Sequence, residues 1–513
     1  MIKKLLRMIY QALEKMVGYK SVTDALNVQQ STISDDMSDA LELWKDMYKN
    51  KAPWVDSVKG IYSMGLPKLI CCIFKQQILS EVNTRIAEPT RPDDEFDIND
   101  EPRTRAEFIE HIYKQKLMRT MPEALEKALN CGGMVIKPYV SDNNIYIDYC
   151  LQGDFYPISF DDDGNITDIA FFDSFTEGDY IFSKIERQTF IESESTVVVE
   201  NKAFKAKLRS ADDDSEQELG TEIPLDSVTK WAGISKEPVY IDNVKHPLYG
   251  YYRVSGSNNI DLRSPLGMSI YGAASHVIHM ADEQFSRLDW EYKGGQLAID
   301  VDPTAVTFSQ GYYGTMQNLD DLQDRLYRKL DLGNDETYHA WNPTLRDASY
   351  KEGLNTYLML IEDIVGMARG TISNVQAEAR TATEIKVLKQ RAYITISSNQ
   401  DALEQAIRDT VNAVNVYIDL YNIFQSGDYT LLIEWKDSVL TDTDTELDQK
   451  LKLVDKDILS KAEVRAWYTG ESDEVAKSAI AAMQKEKQKS YINDLFSTNP
   501  NNNPNKTLEV EEE

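Results

Sequence analysis

One very long helical pattern constrains this chain more than any other feature. Ile385, Leu388, Ala392, Ile396, Leu403, Ile407, Val411, Val414, Ile418 and Tyr421 recur at helical spacing. Thr381-Ala382-Thr383-Glu384 opens the pattern in capping-box form, the Thr381 hydroxyl facing the Glu384 amide and the Glu384 carboxylate reaching back. A helix over 381–424 spans roughly 60 Å and makes a rigid wall. The polar run Ser397-Ser398-Asn399-Gln400 interrupts its stripe and predicts a bend. Residues 368–380, ahead of the helix, have no clear period and include Gly370, which reads as a loop. With both ends fixed, its residues are expected to be alterable without loss of core contacts.

The rest of the chain changes texture several times. Residues 1–90 read as helical, with apolar periodicity through Ala40, Leu43, Trp44 and Tyr48 and again over 69–86; 88–105, acidic and proline-rich, reads as a surface loop. At the start, basic residues recur among apolar ones, which predicts an amphipathic helix and not a signal peptide. A helix over 105–130 ends at Cys131-Gly132-Gly133, where glycine takes a left-handed cap. Short alternating strands with turns such as Asp142-Asn143-Asn144 fill 134–240 and predict an antiparallel sheet, with 210–221 a solvated hairpin connection. Ser264 as N-cap and Pro265 at the first position predict a helix to about Tyr292, stopped by Gly294-Gly295. A compact insertion follows, strand-like over 296–301 and 337–341 with a helical turn near Leu319, before helix returns over 348–367. A strand at 429–435 and helices over 444–459, 461–468 and 474–495 precede an Asn-, Pro- and Glu-rich end.

Composition narrows the function. The 513 residues allow several domains, and 42% hydrophobic content makes them globular. Lys and Arg number 55 against 85 Asp and Glu, a net charge of −30, which repels phosphate and argues against broad-face nucleic-acid binding while leaving repelled or transient contact open. Cys71, Cys72, Cys131 and Cys150 show no metal-ligand rhythm and read as thiols in a reducing compartment. The longest apolar stretch, 66–74, falls far short of a membrane span, so a soluble protein is expected.

Tests for chemistry return weak candidates. There is no G-x-x-x-x-G-K-[ST] and no H-E-x-x-H. His276, His279 and Glu283 share a helical face that suits a divalent ion only with a further ligand, and packing explains them better. Asp161-Asp162-Asp163-Gly164 has Ala170 where a calcium loop needs its terminal Glu, so a hairpin turn is the better reading. Asp437, Asp442, Asp444 and Glu446 are dense enough to bind Mg²⁺ for hydrolysis, yet they flank a helix start, where carboxylates cap amides.

The order of elements resembles the portal proteins of tailed bacteriophages, most nearly those of long-tailed phages of Gram-positive hosts. Three signatures carry the likeness: Ser264-Pro265-Leu266-Gly267-Met268-Ser269-Ile270-Tyr271 leading into Asp282-Glu283-Gln284-Phe285-Ser286; Arg380-Thr381-Ala382-Thr383-Glu384-Ile385; and Ile433-Glu434-Trp435-Lys436-Asp437-Ser438 with Ile458-Leu459-Ser460-Lys461. The resemblance implies an α+β portal fold: an N-terminal helical arm at 1–30, a wing at 31–263 joined by the strand 429–435, stem helices at 264–295 and 347–367, a clip at 296–346, a tunnel loop at 368–380, a spine helix at 381–424, a crown at 441–495 and a disordered tail at 496–513. It implies a closed homo-oligomeric ring of about twelve copies. Such a ring sits at one capsid vertex of the virion after assembly in the host cytoplasm, and conducts double-stranded DNA during packaging and ejection. Implied partners are the terminase large subunit, scaffold and major capsid protein and a head-completion adaptor; no membrane, cofactor, metal or catalytic residue is implied. On the loop, Arg369 and Arg380 would touch phosphate or pair with acids of an adjacent copy. Gly370, Ser373, Asn374, Val375, Gln376, Ala377 and Glu378 would present short or repelling groups to the duplex. The competing readings are a Mg²⁺-dependent hydrolase and another structural head or tail protein.

Overall fold

The computed structural model describes residues 25–26, 32–80, 82–90, 96, 100–208, 219–301, 327–329, 338–374, 382–435, 443–456, 458–469, 472, 475–483 and 485. Most of the 1–30 arm, residues 210–218 of the hairpin connection, the turn near Leu319 and the 496–513 tail lie outside them. The chain forms two compact units, Met1–Trp435 and Lys436–Glu513, and mixes helices with mainly antiparallel sheets as an α+β protein.

Local chemistry explains most helix ends in the first unit. Helix α1 (Asp35–Tyr48) starts at Ser34, whose hydroxyl oxygen accepts the Met37 N–H at 3.3 Å; Asp35 and Asp36 in its first turn and Lys45 in its last suit the helix dipole. Helix α2 (Leu66–Leu79) follows Gly65 at φ 72° and carries Pro67 in its first turn. The periodicity that extends it to Ile86 is misleading. Residues Val82–Ala87 form strand β1, antiparallel to the strand at Thr430–Trp435, because Ile86 and Ala87 are buried by a partner far away in sequence. Helix α3 (Arg105–Ile112) opens on a capping box between Thr104 and Glu107.

A π-helical turn at Tyr113–Met118, not foreseen from sequence, links α3 to α4 (Arg119–Cys131), which closes on Gly132 at φ 96° as expected. Pro122 brings no N–H to the turn before it, and the Tyr149 hydroxyl donates to the Leu117 carbonyl at 2.6 Å. Burial pushes that phenol up to about 12, so it donates at any working pH. Tyr149→Phe should therefore lower stability by about 1–2 kcal/mol, read as a lower urea midpoint; an unchanged midpoint would mean that the carbonyl is satisfied another way.

The expected sheet region is present as antiparallel hairpins. β2 (Gly133–Ser141) and β3 (Asn144–Leu151) join through Asp142 and Asn143, both at positive φ, the turn that matches strand twist. Strands β4 (Phe155–Phe160), β5 (Ile166–Glu177), β6 (Tyr180–Ile191), β7 (Thr196–Lys207) and β8 (Thr221–Ile223) follow in order in a larger sheet, with β9 (Val239–Asp242) also paired to β7. Between β4 and β5, Asp161 accepts the N–H groups of Asp163 and Asn165 and Gly164 sits at φ 84°, so the acidic run is a hairpin turn. β10 (Gly250–Arg253) returns to pair with β2.

Ser264 and Pro265 begin no helix. Helix α5 (Ser275–Gly294) starts only after a short 3-10 turn, because 264–271 is held from outside. The Gly267 carbonyl accepts from Gln152 Nε2 at 2.8 Å, the Ile270 N–H donates to Leu129 at 2.9 Å, and the Tyr271 hydroxyl donates to the Trp44 carbonyl at 2.8 Å. Bonds to α1, to the end of α4 and to the turn after β3 replace the helical ones. A Cβ on Gly267 would stand 2.0 Å from the Gly132 carbonyl, so these backbones pass in contact. Asp282 and Ser286 on α5 bind the strap before α2: Asp282 accepts Trp54 Nε1 at 3.0 Å and the Met64 N–H at 2.8 Å, and Ser286 accepts the Tyr62 N–H at 2.9 Å.

The insertion contributes β11 (Ala298–Val301), β12 (Tyr327–Lys329) and β13 (Tyr338–Trp341), with β11 in the middle. Helix α6 (Asp347–Val365) then packs along α5; Arg346 grips Glu291 through Nε at 3.2 Å and Nη2 at 2.9 Å. Helix α7 (Ala382–Leu420) crosses the β10–β2–β3 sheet, burying Leu403, Ala406, Ile407, Val411, Val414 and Ile418. Its helix continues through the polar run. Asn399 is buried there, accepting from the Tyr252 hydroxyl at 3.0 Å and the Ser255 N–H at 3.1 Å, and Gln400 donates to the Ile78 carbonyl at 3.3 Å. The interruption in the stripe is thus a polar anchor within the core. β14 (Thr430–Trp435) ends the unit beside β1. In the second unit, α8 (Thr443–Asp455) and α9 (Lys461–Thr469) meet where Lys450 lies 4.3 Å from the Trp467 ring centre, and Ser460 with Glu463 forms a capping box.

Candidate functional site

The loop singled out in the sequence leaves α6 at Gly366, which takes φ 78° and returns its N–H to the Glu362 carbonyl. A Cβ there would stand 2.3 Å from Thr395 Oγ1 on α7, so glycine also permits the close crossing. The loop's first half is then tied to α6 by three side chains of that helix. Glu362, 0% exposed, accepts the Ile372 N–H (2.6 Å) and Ser373 N–H (2.9 Å) on Oε1, and the Gly370 N–H (3.1 Å) and Ser373 hydroxyl (2.6 Å) on Oε2. Asn355 binds both backbone groups of Asn374, donating to its carbonyl at 2.9 Å and accepting its N–H at 2.7 Å. Asp363 accepts both ends of the Arg369 guanidinium, at 3.0 and 2.6 Å.

This geometry corrects one expectation. Ser373 is buried and Gly370 and Ile372 are bonded through their amides to a buried carboxylate, so altering Ser373 or deleting Gly370 or Ile372 loses core contacts. Arg369 meets an acid of its own chain. Its hydrogen-bonded guanidinium holds the Asp363 carboxyl below its ordinary range, and Arg391 of α7 adds to this from 3.5 Å. Val375, Gln376, Ala377, Glu378, Arg380 and the cap residue Thr381 lie outside the described residues; Glu384 is placed in the first turns of α7, its side chain outside the description. Sequence reasoning missed Glu362, Asn355 and Asp363. The one available signal was Glu362 itself, a carboxylate on the stripe of Leu354, Leu358, Ile361 and Val365, four residues before a glycine.

The other candidates are dispersed. His279 stacks on Trp54 with ring centres 4.5 Å apart and reaches Glu283 at 3.4 Å, while Arg287 takes the other Glu283 oxygen at 3.1 Å. Asp437 and Asp442 lie outside the described residues, and Asp444 and Glu446 are placed only as backbone in the first turn of α8. Among the described residues no three His, Cys, Asp or Glu side chains form a metal-holding group, and no helix is long and apolar enough to cross a membrane. Cys71 and Cys131 are buried and Cys150 half-buried; burial pushes the Cys131 and Cys150 thiols up to about 11 and about 12, which keeps them protonated and unreactive.

Compared with known proteins, residues 72–491 match a family described as phage portal protein, SPP1 Gp6-like, well over half of the chain. No curated protein matches it.

Proposed function

The chain belongs to the SPP1 Gp6-like phage portal proteins, and from that premise we propose that it closes into a ring of about twelve copies whose bore conducts double-stranded DNA through one vertex of the capsid. In this reading 31–263 with 429–435 is the wing, α5 and α6 are the stem, 296–346 is the clip that meets the terminase large subunit and later a head-completion adaptor, 368–380 faces the DNA, α7 is the spine and 441–495 the crown. Scaffold and major capsid protein would meet the wing during assembly in the host cytoplasm. The observation that carries the reading is the joint between α6 and α7, where residues 370–374 are hydrogen-bonded to one helix and the chain goes on into a second of 39 residues. A charge of −30 fits a conduit: an acidic bore lets the duplex slide where a basic one would hold it.

Leu360 and Ile364, one turn apart on α6, are exposed, as are Met280 on α5 and Ile394 on α7, and in the ring these faces would be covered by the neighbouring copy. Electron microscopy of the purified protein should show closed rings with a central hole; monomer alone across concentration and salt would overturn the reading. Deleting 375–378 while keeping the anchored 370–374 should leave rings intact and reduce packaged or retained DNA at least tenfold. Unchanged packaging would remove the loop from the mechanism. The hydrolase reading on Asp437, Asp442 and Asp444 finds no support in the family match.

A further inference from the structure

Glu362 is a buried carboxyl group whose side chain accepts four hydrogen bonds, three from backbone amides and one from a hydroxyl of the loop, while the Arg369 guanidinium acts on it electrostatically without a hydrogen bond. A carboxylate stripped of water is stable only where such donors replace its hydration, and hydrogen bonds to an ionised acceptor are about twice as strong as neutral ones. The four donors span 370–373. Asn355, two turns earlier on α6, holds the next residue by both its backbone groups, and Asp363 holds the preceding Arg369 side chain. Three side chains of one helix therefore fasten residues 369, 370, 372, 373 and 374.

We propose that Glu362 is a positioning residue that makes 366–374 one rigid piece with α6, so that this part of the DNA-facing loop changes place only when α6 does. The functional half of the inference rests on the conduit reading; the mechanical half stands without it. Glutamine at this position is a sharp probe, because it replaces one acceptor oxygen by an NH₂ group. If its Oε1 keeps the Ile372 and Ser373 amides, its nitrogen faces the Gly370 N–H, donor against donor.

The test is hydrogen–deuterium exchange on the full-length assembled protein, with DNA retention measured on the same preparations. In the parent, the Gly370, Ile372 and Ser373 amides should exchange as slowly as the interior of α6. In Glu362→Gln, exchange at Gly370 should rise at least tenfold with the amides of 351–360 unchanged, and retained DNA should fall severalfold in rings of normal size. Fast exchange of the three amides in the parent, or no change in the variant, overturns the rigid attachment. Equal loosening of α6 overturns the positioning role, since Glu362 would then serve the helix. Faster loop exchange with normal DNA retention also overturns positioning, and the separate 375–378 deletion, assayed in parallel, shows whether the conduit reading itself survives. If Glu362→Gln fails to assemble, Ser373→Ala removes one hydrogen bond to Glu362 and Asn355→Ala removes two to Asn374, and loop exchange and DNA retention are read by the same criteria at the residue released.

Discussion

Gly250→Ala will unseat α7 from the sheet beneath it and lower the stability of the first unit by about 3 kcal/mol or more, the upper range for overfilling a packed core. Gly250 opens β10 directly under the helix. A Cβ there would stand 1.9 Å from the Ala406 carbonyl oxygen, 2.4 Å from Thr410 Oγ1 and 2.8 Å from the Ala406 carbonyl carbon. None of these atoms is the loose end of a long side chain; the Thr410 hydroxyl is itself bonded to the Ala406 carbonyl at 2.7 Å. Relief therefore requires helix and strand to part. Parting them strips contacts from Leu403, Ile407 and Val411, all nearly inaccessible, and pulls at the Tyr252–Asn399 bond. Urea unfolding followed by far-ultraviolet circular dichroism measures the loss; a midpoint equal to the parent's would show that the crossing tolerates separation.

Arg105→Met will be comparably damaging, at about 3 kcal/mol, although methionine keeps much of the apolar stem. Arg105 is 2% exposed and ties the start of α3 to the far end of α7. Its Nε donates to Asn415 Oδ1 at 2.9 Å, Nη2 to the Asn415 carbonyl at 3.3 Å, and Nη1 to the carbonyls of Phe424 at 3.4 Å and Gln425 at 3.1 Å; Nη2 also pairs with Asp419. The Asp419 carboxylate is more than half exposed, so the ion pair is screened and the bonded carbonyls carry most of the effect. Arg105→Lys should recover only part of the loss, because an ammonium cannot reproduce the planar fork. The same urea measurement decides it, and full recovery by lysine would show that charge alone is required.

What the sequence revealed and concealed follows the range of the interaction responsible. The stripe of α7, the glycine cap of α4 and the Asp142-Asn143 turn are short-range, and each was legible. β1 was read as helix because its strand character comes from Thr430–Trp435. Ser264-Pro265 carried a helix-start signature that contacts with Leu129, Gln152 and Trp44 overrode. Asn399 and Gln400 looked like an interruption since a buried amide and an exposed one have the same letter. At the candidate site the loop's position between two helices was legible, whereas its attachment was not: Glu362 lies eight to eleven residues from its partners, and nothing in local periodicity distinguishes a buried acceptor from a solvated charge.

The pairing of β1 with β14 has a consequence for how the protein is made. Val82 lies opposite Trp435, 353 positions later in the chain. At a translation rate of about 5–20 residues per second, β1 waits on the order of 20–70 s on the ribosome before its partner exists. During that interval the buried side of Ile86, and the faces of α2 and α3 that border α7, have no cover. Closing so long a loop also places the step late in folding, after local hairpins such as β5–β6 have formed. Nascent chains are thus held short of the native first unit until nearly all of it has been synthesised.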